Sequence, residues 1–185
     1  MTTSSATHTV FTLGHSTRTE SELIALLHAH EVKALIDVRT VPRSRRNPQF
    51  NREHLPSVLE PEGIAYMHVA GLGGFRRPSA DSPNKGWRNL SFRGYADYMQ
   101  TDAFEKHVHD LIEQAHERRV AIMCAEAVPW RCHRSLIADA LLVRGVHVEE
   151  IVGTNRTQTR KLTPFAKVDG TSLTYPEVES DPAPP

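Results

Sequence analysis

Cysteine is scarce in this chain, with two among 185 residues, Cys124 and Cys132. So small a number excludes the disulfide framework of a small secreted domain. Net charge is missing too, because 22 basic residues balance 22 acidic ones. The molecule as a whole therefore exerts no pull on nucleic acid or an anionic membrane, and any such attraction has to come from local patches. No apolar run approaches the roughly 20 residues that span a bilayer, and Met1 to His8 lacks the charged and apolar regions of a signal peptide. A cytoplasmic protein without membrane contact is the expectation. The 11 histidines scatter without metal-ligand spacing, no cofactor is expected, and no internal repeat is present.

What is there is alternation. Thr9 to Leu13, Lys33 to Val38, Ile64 to Val69, Val120 to Cys124 and Val146 to Val152 read as strands. Helical patterns lie between them. Thr19 with Glu22 three residues on forms a capping box ahead of Leu23, Ile24 and Leu27. A short helix is predicted over Arg52 to Leu59 with Asn51 as its cap, a long one over Asp102 to Arg118 behind Thr101, and a last one over His133 to Arg144 with Gly145 as its stop. Strand and helix in strict succession predict an α/β fold: one compact domain over 9–153, a mostly parallel sheet of about five strands, and helices on both faces in Rossmann-like layers. Residues 154–185 are expected as a C-terminal extension, with a short strand near 172–175 and a disordered Pro-rich end. The stretch from Gly71 to Gly94, rich in Gly, Pro, Ser and Arg, is too long for an ordinary connection and reads as irregular.

Sheets of this kind bind ligands outside the carboxyl ends of their strands, and the polar clusters of this chain fall there. Gly14, His15 and Ser16 follow the first strand, Asp37 and Arg39 end the second, Gly71 to Gly74 follow the third, and Cys124 and Glu126 end the fourth. Cys132, beside Arg131, His133 and Arg134 at a helix N-terminus, has the setting that favours a thiolate. Cys124 occupies the strand-end position of a phosphatase or rhodanese cysteine, yet Arg131 seven residues on and Pro129 in the loop depart from those signatures; the alternative is packing for both thiols, with Arg131 and Arg134 held by carboxylates such as Glu126. A metal site is not expected, because the adjacent Cys132 and His133 do not readily face one ion together. A reversible Cys124–Cys132 disulfide stays open.

The segment from Arg39 to Arg52 holds five arginines and no acid. Arg39 and Arg43, with the hydroxyl of Ser44, suit phosphate or carboxylate oxygens; a solvated basic loop is the alternative. His15 can serve as a general base and Ser16 as an anion donor, or both can simply build a turn. Asp37, on a buried strand, needs a cationic partner, and Arg39 or another arginine can supply it. Trp87, Phe92, Tyr95 and Tyr98 read as core beside a helix start, with base stacking as the alternative.

Taken together, Gly14-His15-Ser16, Asp37-Val38-Arg39 with Pro42 and Ser44, Ser91 to Met99, and Cys124-Ala125-Glu126 followed by Cys132-His133-Arg134 make the chain resemble the DUF488 family of bacterial and archaeal proteins, over about Val10 to Tyr175. The resemblance implies a compact α/β domain and assigns no activity. It also implies that His15, Asp37, Arg39, Cys124, Glu126, Cys132, His133 and Arg134 form a single constellation, with Gly14 and Tyr95 in support. Three functional readings follow. In the first, an enzyme-like domain holds an anionic, phosphate-bearing ligand, a nucleotide or a nucleic-acid end, through Arg39, Arg43, Arg131 and Arg134, with Glu126 or His15 moving protons and Cys132 as the more reactive thiol. The second is a non-catalytic nucleic-acid-binding or regulatory module. The third is a thiol-based redox sensor. Reaction, substrate and oligomeric state are left open by the sequence.

Overall fold

Side-chain alternation along a strand sends neighbouring residues to opposite faces of a sheet, and here it sorts two hydrophobic cores. A computed structural model describes residues 8–177. Its strands are β1 (Thr9–Gly14), β2 (Ala34–Asp37), β3 (Ala65–His68), β4 (Val120–Cys124), β5 (His147–Gly153) and β6 (Arg156–Thr159), in the sheet order β3-β2-β4-β1-β5-β6. All pairings are parallel except that of β5 with β6. Phe11, Leu13, Leu35, Ala121 and Met123 face one side and pack with α1 (Glu20–Ala29) and α2 (Leu55–Leu59). Val10, Ala34, Ile36, Ile122 and Val148 face the other and pack with α3 (Leu90–Tyr98), α4 (Asp102–Glu117) and α5 (Arg134–Leu142). The result is the α/β layering expected from the alternation of strands and helices.

Local chemistry explains where the helices begin. The Thr19 hydroxyl accepts from the Glu22 amide at 3.2 Å while the Glu22 carboxylate accepts from the Thr19 amide at 2.6 Å, completing the capping box. Two expectations need correction. Asn51 does not cap α2: its Oδ1 accepts from the Ser44 amide at 2.7 Å, and the helix starts three residues later than predicted. The Gly71 to Gly94 stretch is not irregular to its end either. Asn89 Oδ1 accepts from the amides of Ser91 and Phe92 and starts α3, and the helix carries a glycine at position 94 because a Cβ there would lie 2.5 Å from the Arg76 carbonyl oxygen.

The sheet has six strands rather than about five. β6 (Arg-Thr-Gln-Thr) is mostly exposed at the sheet's edge and carries no apolar alternation to betray it. Beyond it, β7 (Lys167–Asp169) and β8 (Ser172–Thr174) form a separate antiparallel pair. Leu173 and Tyr175 are buried in the core of α3, α4 and α5, and the Tyr175 hydroxyl donates to Asp139 at 2.9 Å. The Pro-rich end that was expected to be disordered lies outside the described residues. Among the described residues, no helix is long and apolar enough to cross a membrane.

One feature of the topology positions the site. β1 and β2 flank β4 and lead to helices on one face, whereas β4 leads to α5 on the other. The loops at the carboxyl end of β4 therefore part from those of both neighbours, which opens a crevice at a topological switch point.

Candidate functional site

The floor of the crevice is an extension of the sheet. Past the last residues of β1 and β4, the His15 amide donates to the Cys124 carbonyl at 2.9 Å and the Ser16 amide to the Ala125 carbonyl at 3.0 Å. Gly14 is required by this approach, because a Cβ at that position would sit 1.9 Å from the Glu126 carbonyl oxygen. Ser16 turns the chain away in the left-handed region, with φ of 51°.

Behind the floor lies a buried ion pair. Asp37 is fully buried, and its carboxylate accepts from Arg39 Nε at 2.9 Å, Arg39 Nη2 at 2.5 Å, the Arg39 amide at 3.1 Å and the Tyr66 hydroxyl at 2.6 Å. Burial, with the Asp37 carboxylate beside it, pushes the Tyr66 phenol well above its usual range. Arg39 Nη2 also donates to the Phe50 carbonyl at 2.6 Å. The His15 ring stacks on Phe50; its Nδ1 donates to the Ser16 carbonyl at 2.8 Å, which leaves Nε2 to accept from Arg39 Nη1 at 3.2 Å. Burial lowers the His15 pKa to about 4. The proposed proton transfer by His15 and a catalytic part for Asp37 do not fit this geometry: both imidazole nitrogens are engaged and the carboxylate is saturated. Together they hold the Arg39 guanidinium in place.

The loop after β4 returns through a short turn at Pro129–Arg131 and brings Cys132 back beneath Cys124. Cys124 Sγ, Cys132 Sγ and a ring nitrogen of His133 lie within 4.8 Å of one another. The thiols are free, with Cys132 buried and Cys124 half-buried. As hydrogen-bond donor to Cys132, and in a desolvated position, Cys124 has its pKa pushed up to about 12. That same hydrogen bond brings Cys132 down to about 6 against its burial, helped by the Arg134 guanidinium. His133 Nε2 donates to the Val38 carbonyl at 2.9 Å, and its Nδ1 is 3.7 Å from Cys132 Sγ. Cys132 and His133, adjacent in sequence and expected not to face one ion readily, thus bring their donor atoms close together. Cys132 is extended (φ −126°, ψ 141°) and His133 turns into the helix (φ −57°, ψ −14°), so the two side chains converge. Tyr95 packs its ring 5.2 Å from that of His133 and donates to the Leu72 carbonyl at 2.9 Å.

Arg134 requires a second correction. Expected to hold an anion, it points into the sheet instead, where Nη1 donates to Thr12 at 2.5 Å and to both Glu150 oxygens, and Nη2 donates to the Glu126 carbonyl at 2.7 Å. Both members of the Arg134–Glu150 pair are buried. Burial raises the Glu150 pKa despite the arginine beside it. The sequence reading missed Glu150, although its place two residues after the buried Val148, on the inward face of β5, was the signal of an acid needing a partner.

The remaining groups line a cavity of about 400 Å³ whose walls bring together Arg39, Arg43, Cys124, Glu126, Arg131, Cys132 and His133. A neighbouring hollow of about 490 Å³ holds His15, Ser16 and Ser44 and shares Arg39, Arg43 and Glu126 with the first. Arg43 is exposed and paired with Glu53. Ser44 Oγ accepts from the Asn47 amide at 3.0 Å and so serves the local turn. Glu126 Oε1 accepts from the Val128 amide at 3.0 Å. The opposite wall comes from the segment after β3. Gly74 passes the His133 ring, Phe75 is exposed at the mouth, and the Phe75 amide donates to the Thr40 hydroxyl at 3.2 Å. The place of Gly71 to Gly74 after the third strand pointed to this face, but nothing in the local sequence marked Phe75, which the fold brings across. A family model described as "Domain of unknown function DUF488" matches residues 20–141. No curated protein and no solved structure matches the chain.

Proposed function

The chain belongs to the DUF488 family, and for this member we propose an enzyme-like domain that binds an anionic, phosphate-bearing small molecule in the cavity at the carboxyl ends of β1, β2 and β4. The observation that carries this reading is the gathering of three arginines from two different loops around one cavity of about 400 Å³. That volume is of the size small-molecule sites occupy, ~300–1,000 Å³. The three cations have distinct parts. Arg39 is fixed by Asp37 and gives the site a rigid positive edge, Arg43 sits at the rim with Glu53, and Arg131 is exposed and makes no ion pair among the described residues. Arg131 is thus the guanidinium with all of its donors open to a ligand. Glu126, on the same wall, is the group to move a proton, and Val41, Phe75 and Phe92 offer apolar surface to the uncharged part of the ligand.

Direct titration tests the reading. Inorganic phosphate, a nucleoside monophosphate and the matching unphosphorylated nucleoside are titrated calorimetrically in metal-free buffer, against the wild type and Arg131→Ala. The phosphorylated compounds should bind and the nucleoside should not. The variant should bind about tenfold more weakly or worse, as expected for loss of a charge-assisted hydrogen bond worth ~1.5–3 kcal/mol. Equal binding of the nucleoside, or no loss in Arg131→Ala, would remove the basis of the proposal.

A further inference from the structure

We propose that Cys124, Cys132 and His133 bind a single zinc ion, whose fourth coordination position opens into the cavity. Two thiolates and a neutral imidazole are a donor set that zinc favours, and three protein ligands with one open position are the pattern of zinc sites that act on substrates rather than merely brace a fold.

Four observations converge on this site. First, the three donor atoms already lie within 4.8 Å of one another. A tetrahedron with Zn–S ≈ 2.3 Å and Zn–N ≈ 2.0–2.1 Å separates its ligand atoms by roughly 3.5–3.8 Å, and the Cys132 Sγ to His133 Nδ1 distance of 3.7 Å is already there. Second, the imidazole is oriented for the task. Nε2 spends its proton on the Val38 carbonyl at 2.9 Å, which leaves the Nδ1 lone pair free; a metal-binding histidine characteristically anchors its other nitrogen in this way. Third, the ring is held in place by close packing, since a Cβ on residue 74 would lie 2.6 Å from Nδ1 and 2.8 Å from Cγ, so only glycine lets the chain lie against the imidazole face. Fourth, the site has an entry path, because all three ligand residues line the cavity.

Charge is also accommodated. On binding, any thiol proton passes to solvent, and the two thiolates cancel the dication. Arg134, which lies against Cys132 and keeps a buried Nε without a hydrogen-bond partner, adds a cation on the far side from the cavity. The open position then faces the walls that carry Glu126 and Arg131, so a ligand held by the arginines is brought up to the metal.

The test uses the full chain, reduced and stripped with chelator, then titrated with zinc or cobalt chloride. One equivalent of metal per chain is expected by elemental analysis, cobalt should show the near-ultraviolet absorption of thiolate ligation, and zinc should protect both cysteines from iodoacetamide. Cys124→Ser and Cys132→Ser should each lose about a hundredfold or more in affinity, at or beyond the upper end of what even outer-shell changes cost. Gly74→Val provides a control that keeps all three ligands. It should lose metal affinity while both thiols still react with Ellman's reagent and the circular dichroism is unchanged. A reduced protein that binds no zinc, binding unchanged in Cys132→Ser, or a Cys124–Cys132 disulfide formed in place of the complex overturns the proposal. Because the phosphate titrations are run without metal, the two readings fail separately.

Discussion

Asp37→Asn tests the buried pair behind the site with little change of shape. The side chains of Asp37 and Arg39 are 0% and 6% exposed, so water cannot take over when the charge is lost. Removing one partner of a buried pair costs ~3–5 kcal/mol, because the other charge is left in a low-dielectric setting without compensation. Asparagine can still accept from Arg39 or Tyr66, which places the expected loss near the lower end, about 3 kcal/mol. For a chain of this size ~2–4 °C of melting temperature goes with each kcal/mol, so the midpoint should fall by roughly 6–12 °C. Arg39→Met, the reciprocal change, should also be destabilising. The decisive measurement is the double variant, followed by urea unfolding. If the two groups stabilise each other, the loss in Asp37→Asn with Arg39→Met should be ~2–3 kcal/mol smaller than the sum of the single losses, within the range measured for directly coupled residues. Single losses that add to within ~0.5 kcal/mol would refute the argument, since that is the behaviour of independent sites.

Two further perturbations probe the same region. His15 has a folded pKa of about 4 against an ordinary value of 6.5, so between those values the unfolded chain takes up a proton that the folded one refuses. Stability should therefore fall as pH drops from 6.5 to 4, by at most ~3 kcal/mol, and His15→Gln should flatten that profile in urea midpoints measured across the window; an unchanged slope counts against a buried neutral imidazole. Gly14→Ala forces a Cβ to within 1.9 Å of the Glu126 carbonyl oxygen, and since backbone has to yield, a loss of ~2–3 kcal/mol or more is expected. Denaturant unfolding of this variant within 0.5 kcal/mol of wild type would show that the two loops do not meet as closely as described.

How much of this was legible in the sequence depends on how local each cause is. The start of α1 could be read because Thr19 and Glu22 settle it between themselves, and β4 could be read because Val120 to Met123 are all apolar and buried. α3 was hidden by Gly94, a poor helix residue whose presence is explained only by the Arg76 carbonyl pressing against it from a distant loop. β6 was hidden because an exposed edge strand needs no apolar face. The site shows the same division. Its location followed from the rule that ligands bind at strand carboxyl ends, yet the direction of each side chain did not. Arg134 turns inward because Glu150, on a neighbouring element, is buried and acidic. Convergence of Cys132 with His133 depends on a change of backbone conformation between two consecutive residues, which spacing alone does not encode.

The amide bonds from His15 to Cys124 and from Ser16 to Ala125 carry the ladder of the central strands into what are formally loops. Hydrogen-bonded units of this kind open together with the core rather than fray on their own. One side of the cavity is therefore as stiff as the sheet itself, while the facing side, Gly73 to Phe75, is held by a few isolated contacts. A ligand of the kind proposed would thus be fitted by that second wall, the segment after β3, rather than around the cysteines.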